Sequence, residues 1–178
     1  VSSVRNAKNL DLVVTTGGAS IGVHDHIVSD IDNSEGSDLN FWKIAMRPGK
    51  PLISGTVDGI PLLGLPGNPV STAVCALVFL RPAIAHMVRD NRIGLGSIDP
   101  IFKVPLGVDL DANDNRQDYI RANLQESANG QIVLPAPRQD SSMLSVLATA
   151  DALIVRPPYD QAKHAGDMVN VLQIPTLL

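Results

Sequence analysis

The feature that most constrains the fold is a hairpin followed at once by a helix start. Asp58-Gly59 separates two apolar runs, Leu52–Val57 and Ile60–Leu65, and Asp-Gly supplies the positive φ that a two-residue primed turn requires. The loop Pro66-Gly-Asn-Pro69 follows, with its asparagine in the N-cap position and its second proline at the first helical position, where a missing N–H costs nothing. The order strand, turn, strand, helix is therefore predicted from local chemistry alone.

An earlier apolar run, Leu12–Thr16, ends in the glycine pair Gly17-Gly18. A short continuous apolar run of this kind is typical of a strand buried on both faces in a parallel sheet. A short helix is predicted over Asp25–Ile31 and a second strand over Phe41–Met46. We therefore expect the first part of the chain to be α/β, with a mostly parallel sheet and helices on both sides.

The second part of the chain has a different pattern. After the helix from Pro69, which Pro82 should kink at Arg81, the polar, glycine-punctuated stretch Asp90–Ser97 predicts a domain boundary. Short strands with turn residues between them follow, over Ile101–Leu110, Tyr119–Gln125, Gln131–Leu134, Leu153–Arg156 and Val169–Ile174. This pattern predicts a small β-barrel or sandwich, with Asn129-Gly130 as another hairpin turn, and divides the chain into residues 1–93 and 97–178.

Composition excludes several functional classes. The chain has 14 Lys plus Arg, 18 Asp plus Glu and 3% aromatic residues, which argues against a nucleic-acid surface or a base-stacking platform. The single Cys75 excludes an internal disulfide and a multi-cysteine zinc site, and we interpret it as core packing. No apolar run of about 18 residues is evident, so we expect no membrane span and a cytoplasmic protein. The opening segment lacks a starting Met, and we expect a fragment.

Three loops have features suited to an anion. The glycine-rich loop after Thr16 and the helix start at Asn68 offer backbone N–H groups at the edge of a sheet. Between them, Lys43, Arg47 and Lys50 surround the proline-restricted segment Arg47–Pro51, which forms a local positive focus in an acidic chain. A solvated cationic turn and simple helix capping are the alternatives, but the three loops together suggest a ligand with several anionic groups.

Two further motifs point elsewhere. Gly18-Ala-Ser-Ile-Gly22 matches the nucleophile elbow of serine hydrolases, with Ser20 as nucleophile, although the downstream His86 and His164 are interpreted as surface histidines. Asp109–Asn115 resembles a calcium loop, but Asp114 stands where Gly is needed and Ile120 where Glu is needed. We therefore interpret that segment as a polar turn between strands.

Three motifs in this order resemble the MoeA family of molybdopterin molybdenumtransferases, which includes the gephyrin E-domain: Thr16–Asp25, Phe41–Pro51 and Leu65–Ser71. Arg116–Arg121 and Gln139–Ser141 resemble the C-terminal β-barrel domain of that family. The resemblance implies that residues 1–93 belong to a three-layer molybdopterin-binding domain whose N-terminal part is missing, followed by the barrel. It also implies insertion of molybdate into adenylylated molybdopterin with release of AMP, a requirement for Mg²⁺, a homodimer, and molybdopterin adenylyltransferase as a possible pathway partner.

The resemblance assigns roles to individual residues. Asp25 matches the active-site aspartate that would hold Mg²⁺ or orient the adenylate phosphate, and Lys43 matches a basic catalytic position. The positions implied to bind the substrates are Gly17, Gly18, Ser20, Arg47, Lys50, Pro51, Pro66, Gly67, Asn68, Pro69, Ser71, Arg121 and Ser141.

The chain also departs from the family pattern. Arg47 stands where Lys is common and Asp140 where Gly is usual, and either change is expected to weaken molybdate binding. Half of the walls of the family's intersubunit cleft are missing, so we expect no turnover by this chain alone. A non-catalytic scaffold like that of gephyrin is the second hypothesis.

Overall fold

The computed structural model of the chain describes residues 4, 9–17, 26–41, 43–88 and 101–175. Three predicted site residues, Gly18, Ser20 and Asp25, lie outside this part of the chain. The predicted domain boundary between residues 93 and 97 lies outside it as well.

The first sheet contains the four strands β1 (Val13–Thr16), β2 (Ser37–Phe41), β4 (Ile53–Val57) and β5 (Ile60–Leu65), which lie in the order β1-β5-β4-β2. Helix α1 (His26–Asp32) lies between β1 and β2 along the chain. The two-residue strand β3 (Met46–Arg47) is not part of this sheet. Only β1 and β5 pair in parallel, whereas β5–β4 and β4–β2 are antiparallel. The prediction of a mostly parallel sheet is therefore not confirmed for the described strands, because the tight turn after β4 returns the chain in the opposite direction and β2 also pairs antiparallel to β4.

The predicted hairpin is confirmed. Asp58 and Gly59 have φ of 50° and 78°, and the closing pair of the ladder is Val57 with Ile60. The predicted strand over Phe41–Met46 is wrong, because β2 ends at Phe41 and β3 begins at Met46 and joins the second sheet.

The predicted helix start is also confirmed. Helix α2 (Pro69–Cys75) continues through a π-helical turn (Ala76–Leu80) into α3 (Arg81–Met87), so the helix is irregular just before Pro82. By length and composition, the continuous 19-residue helix Pro69–Met87 could cross a membrane, and the expectation that no apolar segment reaches this length is wrong. One face of this helix packs into the protein, where Val70, Val74 and Cys75 are fully buried.

The second sheet contains six strands. Besides β3, its strands are β6 (Ile101–Pro105), β7 (Gln117–Ser127), β8 (Gly130–Pro135), β9 (Ala152–Arg156) and β10 (Met168–Gln173), and the short helix α4 (Leu144–Ala148) follows β8. The strands lie in the order β3-β7-β9-β10-β6, and β8 pairs with β7. β7 and β8 form the predicted hairpin, closed by the pair Ser127 and Gly130. The predicted barrel is not confirmed, because among the described residues the segment just after β6 meets β8 through an isolated bridge, Leu106 to Val133, and not through a continuous ladder.

One hydrophobic cluster joins the two halves of the chain. Leu52, Leu65 and Val74 from the first half pack with Leu153 and Leu172 from the second. The short strand β3 adds main-chain pairing across the same junction, since Met46 and Arg47 lie beside Gln117 and Asp118 of β7. The loop after β3 is therefore held against the second sheet by both packing and backbone hydrogen bonds.

Candidate anion-binding site

The backbone of the cationic loop Arg47–Pro51 is held by a hydrogen bond just before it and by burial within it. The backbone N–H of Gln117 donates to the carbonyl of Ala45 at 2.9 Å, and the loop backbone is buried at Gly49, which has φ of 122°. The Cys75 thiol lies against Gly49, so the cysteine packs in the core as predicted, and burial raises its pKa to about 12. The loop therefore has a defined backbone that can position its charged side chains.

Arg47 is already engaged with carboxylates. Its Nη1 donates to Asp114 Oδ2 at 3.1 Å, and its Nη2 donates to Asp118 Oδ2 and lies 3.5 Å from Asn113 Oδ1. Arg116 also pairs with Asp114, and this hydrogen-bonded guanidinium holds the pKa of Asp114 below its usual value. In this structure, Arg47 therefore contacts the second half of the chain and is not an open ligand for an anion.

Lys50 has a different environment. Its side chain is exposed and lines the main cavity of the described residues, and it forms no hydrogen bond or ion pair within the described part of the chain. Of the two loop cations predicted to bind an anion, Lys50 is thus the one whose charge is available. Pro51 lines the same cavity.

The start of helix α2 contributes polar groups to this site. Asn68 Oδ1 accepts hydrogen bonds from the backbone N–H groups of Val70 and Ser71 at 3.1 and 3.2 Å, as its N-cap position predicts. Ser71 Oγ lies 3.4 Å from the same oxygen, and Asn68 Nδ2 lies 3.5 Å from Ser141 Oγ. Asn68 therefore connects the helix start to a serine of the second half of the chain.

Arg121 is the most deeply buried cation of the site. Arg121 is 1% exposed. Its guanidinium donates hydrogen bonds to Gln139 Oε1 and to the backbone carbonyls of Asp140 and Met143. All three acceptors are neutral, so no carboxylate within the described residues pairs with this charge. Burial lowers the pKa of Arg121, while the Asp140 charge acts in the opposite direction. A buried cation without a counter-ion is costly, and an anion bound beside it would offset that cost.

These groups line one cavity of about 700 Å³. Its wall includes residues from the cationic loop, from the start of α2, from β7 and from the loop after β8, namely Arg47, Lys50, Pro51, Ser71, Asp118, Arg121 and Ser141. Lys50 also lines a neighbouring recess of about 460 Å³ together with Lys43 and Arg116. Lys43 therefore belongs to the adjacent recess and not to the main cavity.

The two glycine loops meet at the edge of the first sheet. β1 and β5 are parallel neighbours, and the backbone N–H of Gly17, just after β1, donates to the carbonyl of Leu65 at 3.1 Å. A Cβ added at Gly67 would lie 3.3 Å from the Cα of Gly17, so the close approach of the two loops favours glycine at position 67. Pro66 is buried, and Pro69 begins α2.

Not every predicted site residue is brought together. The structure places Asn68, Ser71, Arg121, Ser141 and the cationic loop in one region, whereas the Ser20 hydrolase hypothesis has no described nucleophile. His164, one of its candidate bases, lies 3.3 Å from Asp109 on the surface. No group of three or more His, Cys, Asp or Glu side chains within the described residues could hold a metal ion.

Sequence reasoning missed the acidic partners of Arg47. Asp114 and Asp118 lie 67 and 71 positions from it in the chain, so no local pattern connects them. The polar turn interpretation of Asp109–Asn115 is consistent with the loop that carries Asn113 and Asp114, but the turn also forms part of the cavity wall. The only signal in the sequence was an acidic segment around Asp114 and Asp118 in a chain that also has an arginine, Arg47, next to a proline.

Two known protein families match different parts of the chain. Residues 1–86 match the family described as a probable molybdopterin binding domain. Residues 103–174 match the family described as the MoeA C-terminal region, domain IV.

Individual relatives cover nearly the whole chain. It is 35% identical over 175 residues to a "Molybdopterin molybdenumtransferase 2" of Mycobacterium tuberculosis, covering 94% of this chain and 41% of the relative. It is 30% identical over 162 residues to a "Molybdopterin molybdenumtransferase" of Staphylococcus aureus, covering 91% of this chain and 38% of the relative. A solved molybdopterin biosynthesis protein from Pyrococcus horikoshii superposes with a TM-score of 0.70 at 25% identity, covering 99% of this chain and 39% of that one. The chain thus spans about two fifths of the length of these relatives.

Proposed function

The chain belongs to the MoeA family, and from this premise we propose that it is part of a molybdopterin molybdenumtransferase of molybdenum cofactor biosynthesis. The reaction we assign to the whole protein is insertion of molybdate into adenylylated molybdopterin with release of AMP. Molybdate and the adenylylated pterin are substrates in this proposal. The chain supplies part of the oxyanion site.

One observation carries the proposal: a buried guanidinium, that of Arg121, lines a cavity and has no carboxylate partner within the described residues. Lys50 reaches the same cavity, and its charge has no partner within the described residues. In the proposal these two cations bind the oxyanion. The Ser141 hydroxyl, which accepts from Asn68 Nδ2, donates a hydrogen bond to one of its oxygens, and the Ser71 hydroxyl turns away from Asn68 Oδ1 to donate to another. Asn68 orients both serines, because its side chain lies within 3.5 Å of each hydroxyl.

Arg47 has a different role in this proposal from the one that the resemblance implies. Its terminal nitrogens are bonded to Asp114 and Asp118, so it contributes to the site by joining the loop to the second half of the chain. Lys43, in the neighbouring recess with Lys50 and Arg116, is placed to attract a second anionic group of the same substrate.

Further elements of the proposal rest on the family resemblance. These are a requirement for Mg²⁺ with Asp25 as its ligand, the contribution of Gly17, Gly18 and Ser20 to substrate binding, a homodimer as the full-length protein, molybdopterin adenylyltransferase as the preceding enzyme, and a cytoplasmic location. Residues 1–93 and 97–178 remain the proposed domains.

Calorimetric titration of this chain with sodium molybdate tests the proposal. Lys50→Glu is expected to abolish binding, because it reverses the unpaired charge in the cavity, and Arg121→Met is expected to weaken binding at least tenfold. The matched control is Lys103→Glu, an identical charge reversal on the exposed strand β6, away from the cavity. Equal losses in both lysine variants would mean a nonspecific field that salt screens, and the proposed site would be wrong.

A further inference from the structure

The two carboxylates that pair with Arg47, those of Asp114 and Asp118, differ in solvent exposure. The side chain of Asp118 is 9% exposed and that of Asp114 is 43% exposed, while the side chain of Arg47 is 47% exposed. Charge pairs that are shielded from solvent are screened less by salt than exposed ones. Asp118 is therefore the stronger of the two partners of Arg47.

The backbone of the loop does not depend on these ion pairs. Strand β3 is held by main-chain pairing with β7, by the Gln117-to-Ala45 hydrogen bond and by burial of Met46 in the core. The carboxylates therefore control where the Arg47 guanidinium points and how much positive charge it presents to the cavity, rather than where the loop lies.

Asp118 also has one carboxylate oxygen that makes no hydrogen bond among the described residues. Its Oδ2 bonds to Arg47, but its Oδ1 is buried and has no hydrogen-bond partner among the described residues. Asp118 lines the same cavity as Lys50 and Arg121. A carboxylate presents a guanidinium with the same paired oxygens as an oxyanion does, so Asp118 occupies the position on Arg47 that a bound oxyanion would otherwise compete for.

We infer that Asp118 is an affinity-limiting residue that competes internally with the oxyanion for Arg47 and so weakens oxyanion retention in the cavity. This inference rests on the proposed function. Its physical sense is that an oxyanion destined for transfer must be released, and ground-state binding that is too tight does not raise the rate of the chemical step. Asp114 acts in the same direction with a smaller effect, because its carboxylate is exposed and shared with Arg116.

The test is molybdate titration of the parent chain, Asp118→Asn and Asp114→Asn, each also made in an Arg47→Gln background. Asp118→Asn keeps the side-chain shape and is expected to bind molybdate roughly 3- to 10-fold more tightly, with Asp114→Asn gaining about 2-fold. If the gain arises because Arg47 is freed to contact the oxyanion, it should be larger with Arg47 present than in the Arg47→Gln background. Raising the salt to 0.5 M should remove the gain in the Arg47→Gln background but preserve most of it when Arg47 is present.

Equal gains in both backgrounds would mean that only the local field changed and would overturn the inference, as would unchanged or weaker binding by Asp118→Asn with an intact circular dichroism spectrum. If Asp118→Asn does not fold, the exposed Asp114→Asn decides the matter by the same comparison. These failures differ from failure of the proposed function. In the latter case, the parent chain does not bind molybdate or Lys50→Glu binds it as well as the parent does, and absence of binding in both the parent and Asp118→Asn would overturn both proposals.

Discussion

Gly49 combines a positive φ with close contact to buried side chains, so adding a single methyl group there should be costly for two reasons. It has φ of 122°, and a Cβ built there would lie 2.6 Å from the Cys75 sulfur and 3.1 Å from Met46 Cε. Gly49→Ala must therefore adopt a backbone conformation that side chains disfavour and also displace a fully buried sulfur.

The expected change in the free energy of unfolding caused by Gly49→Ala has three parts. The backbone conformation costs about 1–3 kcal/mol, and overpacking against a buried neighbour costs about 1–3 kcal/mol. Reduced entropy of the unfolded chain offsets about 0.4–1 kcal/mol. Gly49→Ala should therefore lower the free energy of unfolding by about 1–6 kcal/mol, a large fraction of the usual total for a domain.

Urea unfolding followed by circular dichroism measures this change, and a double-mutant cycle with Cys75→Ala separates the two costs. With the sulfur gone, the cost of Gly49→Ala should be mainly the backbone part, about 0–3 kcal/mol after the entropic offset, together with a small contribution from Met46 Cε. Gly59→Ala is a useful comparison, because its φ is 78° but no atom lies within 4 Å of the added Cβ. An equal cost of Gly49→Ala in both backgrounds, or a cost below about 1 kcal/mol in the parent, would refute the packing argument.

Three further predictions concern stability and reactivity. Asn68→Ala should lower the free energy of unfolding by about 1 kcal/mol, because it removes the cap from α2, whereas Asn170→Ala on the exposed face of β10 should change it by less than about 0.5 kcal/mol; equal changes in urea midpoint would contradict the capping role. The raised pKa of Cys75, about 12, predicts that Ellman's reagent at pH 8 labels the native protein far more slowly than the urea-unfolded chain, and rapid native labelling would show the thiol to be accessible. The lowered pKa of Asp114, set first by its hydrogen bonds from Arg116, means that this group stabilises the fold above about pH 4 and that the contribution is lost as pH falls further. Asp114→Asn should therefore flatten the loss of urea midpoint between pH 5 and pH 3, and an unchanged slope would count against the pair.

Local chemistry in the sequence was sufficient for several elements. The Asp58-Gly59 hairpin and the Asn68 cap depend on residues that are close together in the chain, so their turn and capping preferences act regardless of the rest of the fold. The motifs around residues 16–25, 41–51 and 65–71 also indicated the family, which the two family matches support. The positive focus at the cationic loop was evident because its prolines and charges are contiguous.

Contacts between distant residues could be decided only by the tertiary structure. The direction of the strands in the first sheet and the pairing of β3 with the second sheet depend on which strands lie next to each other in the fold. The sequence of a single apolar run does not specify which strand will pair with it. The same limit explains Arg47, which the sequence marks as a free cation but which the fold places against Asp114 and Asp118. It also explains Arg121, whose burial without a carboxylate partner within the described residues makes it the centre of the proposed oxyanion site. The sequence by itself determined which charges are present, and the fold decided which of them are neutralised, because neutralisation depends on distances between groups that the chain keeps far apart until it folds.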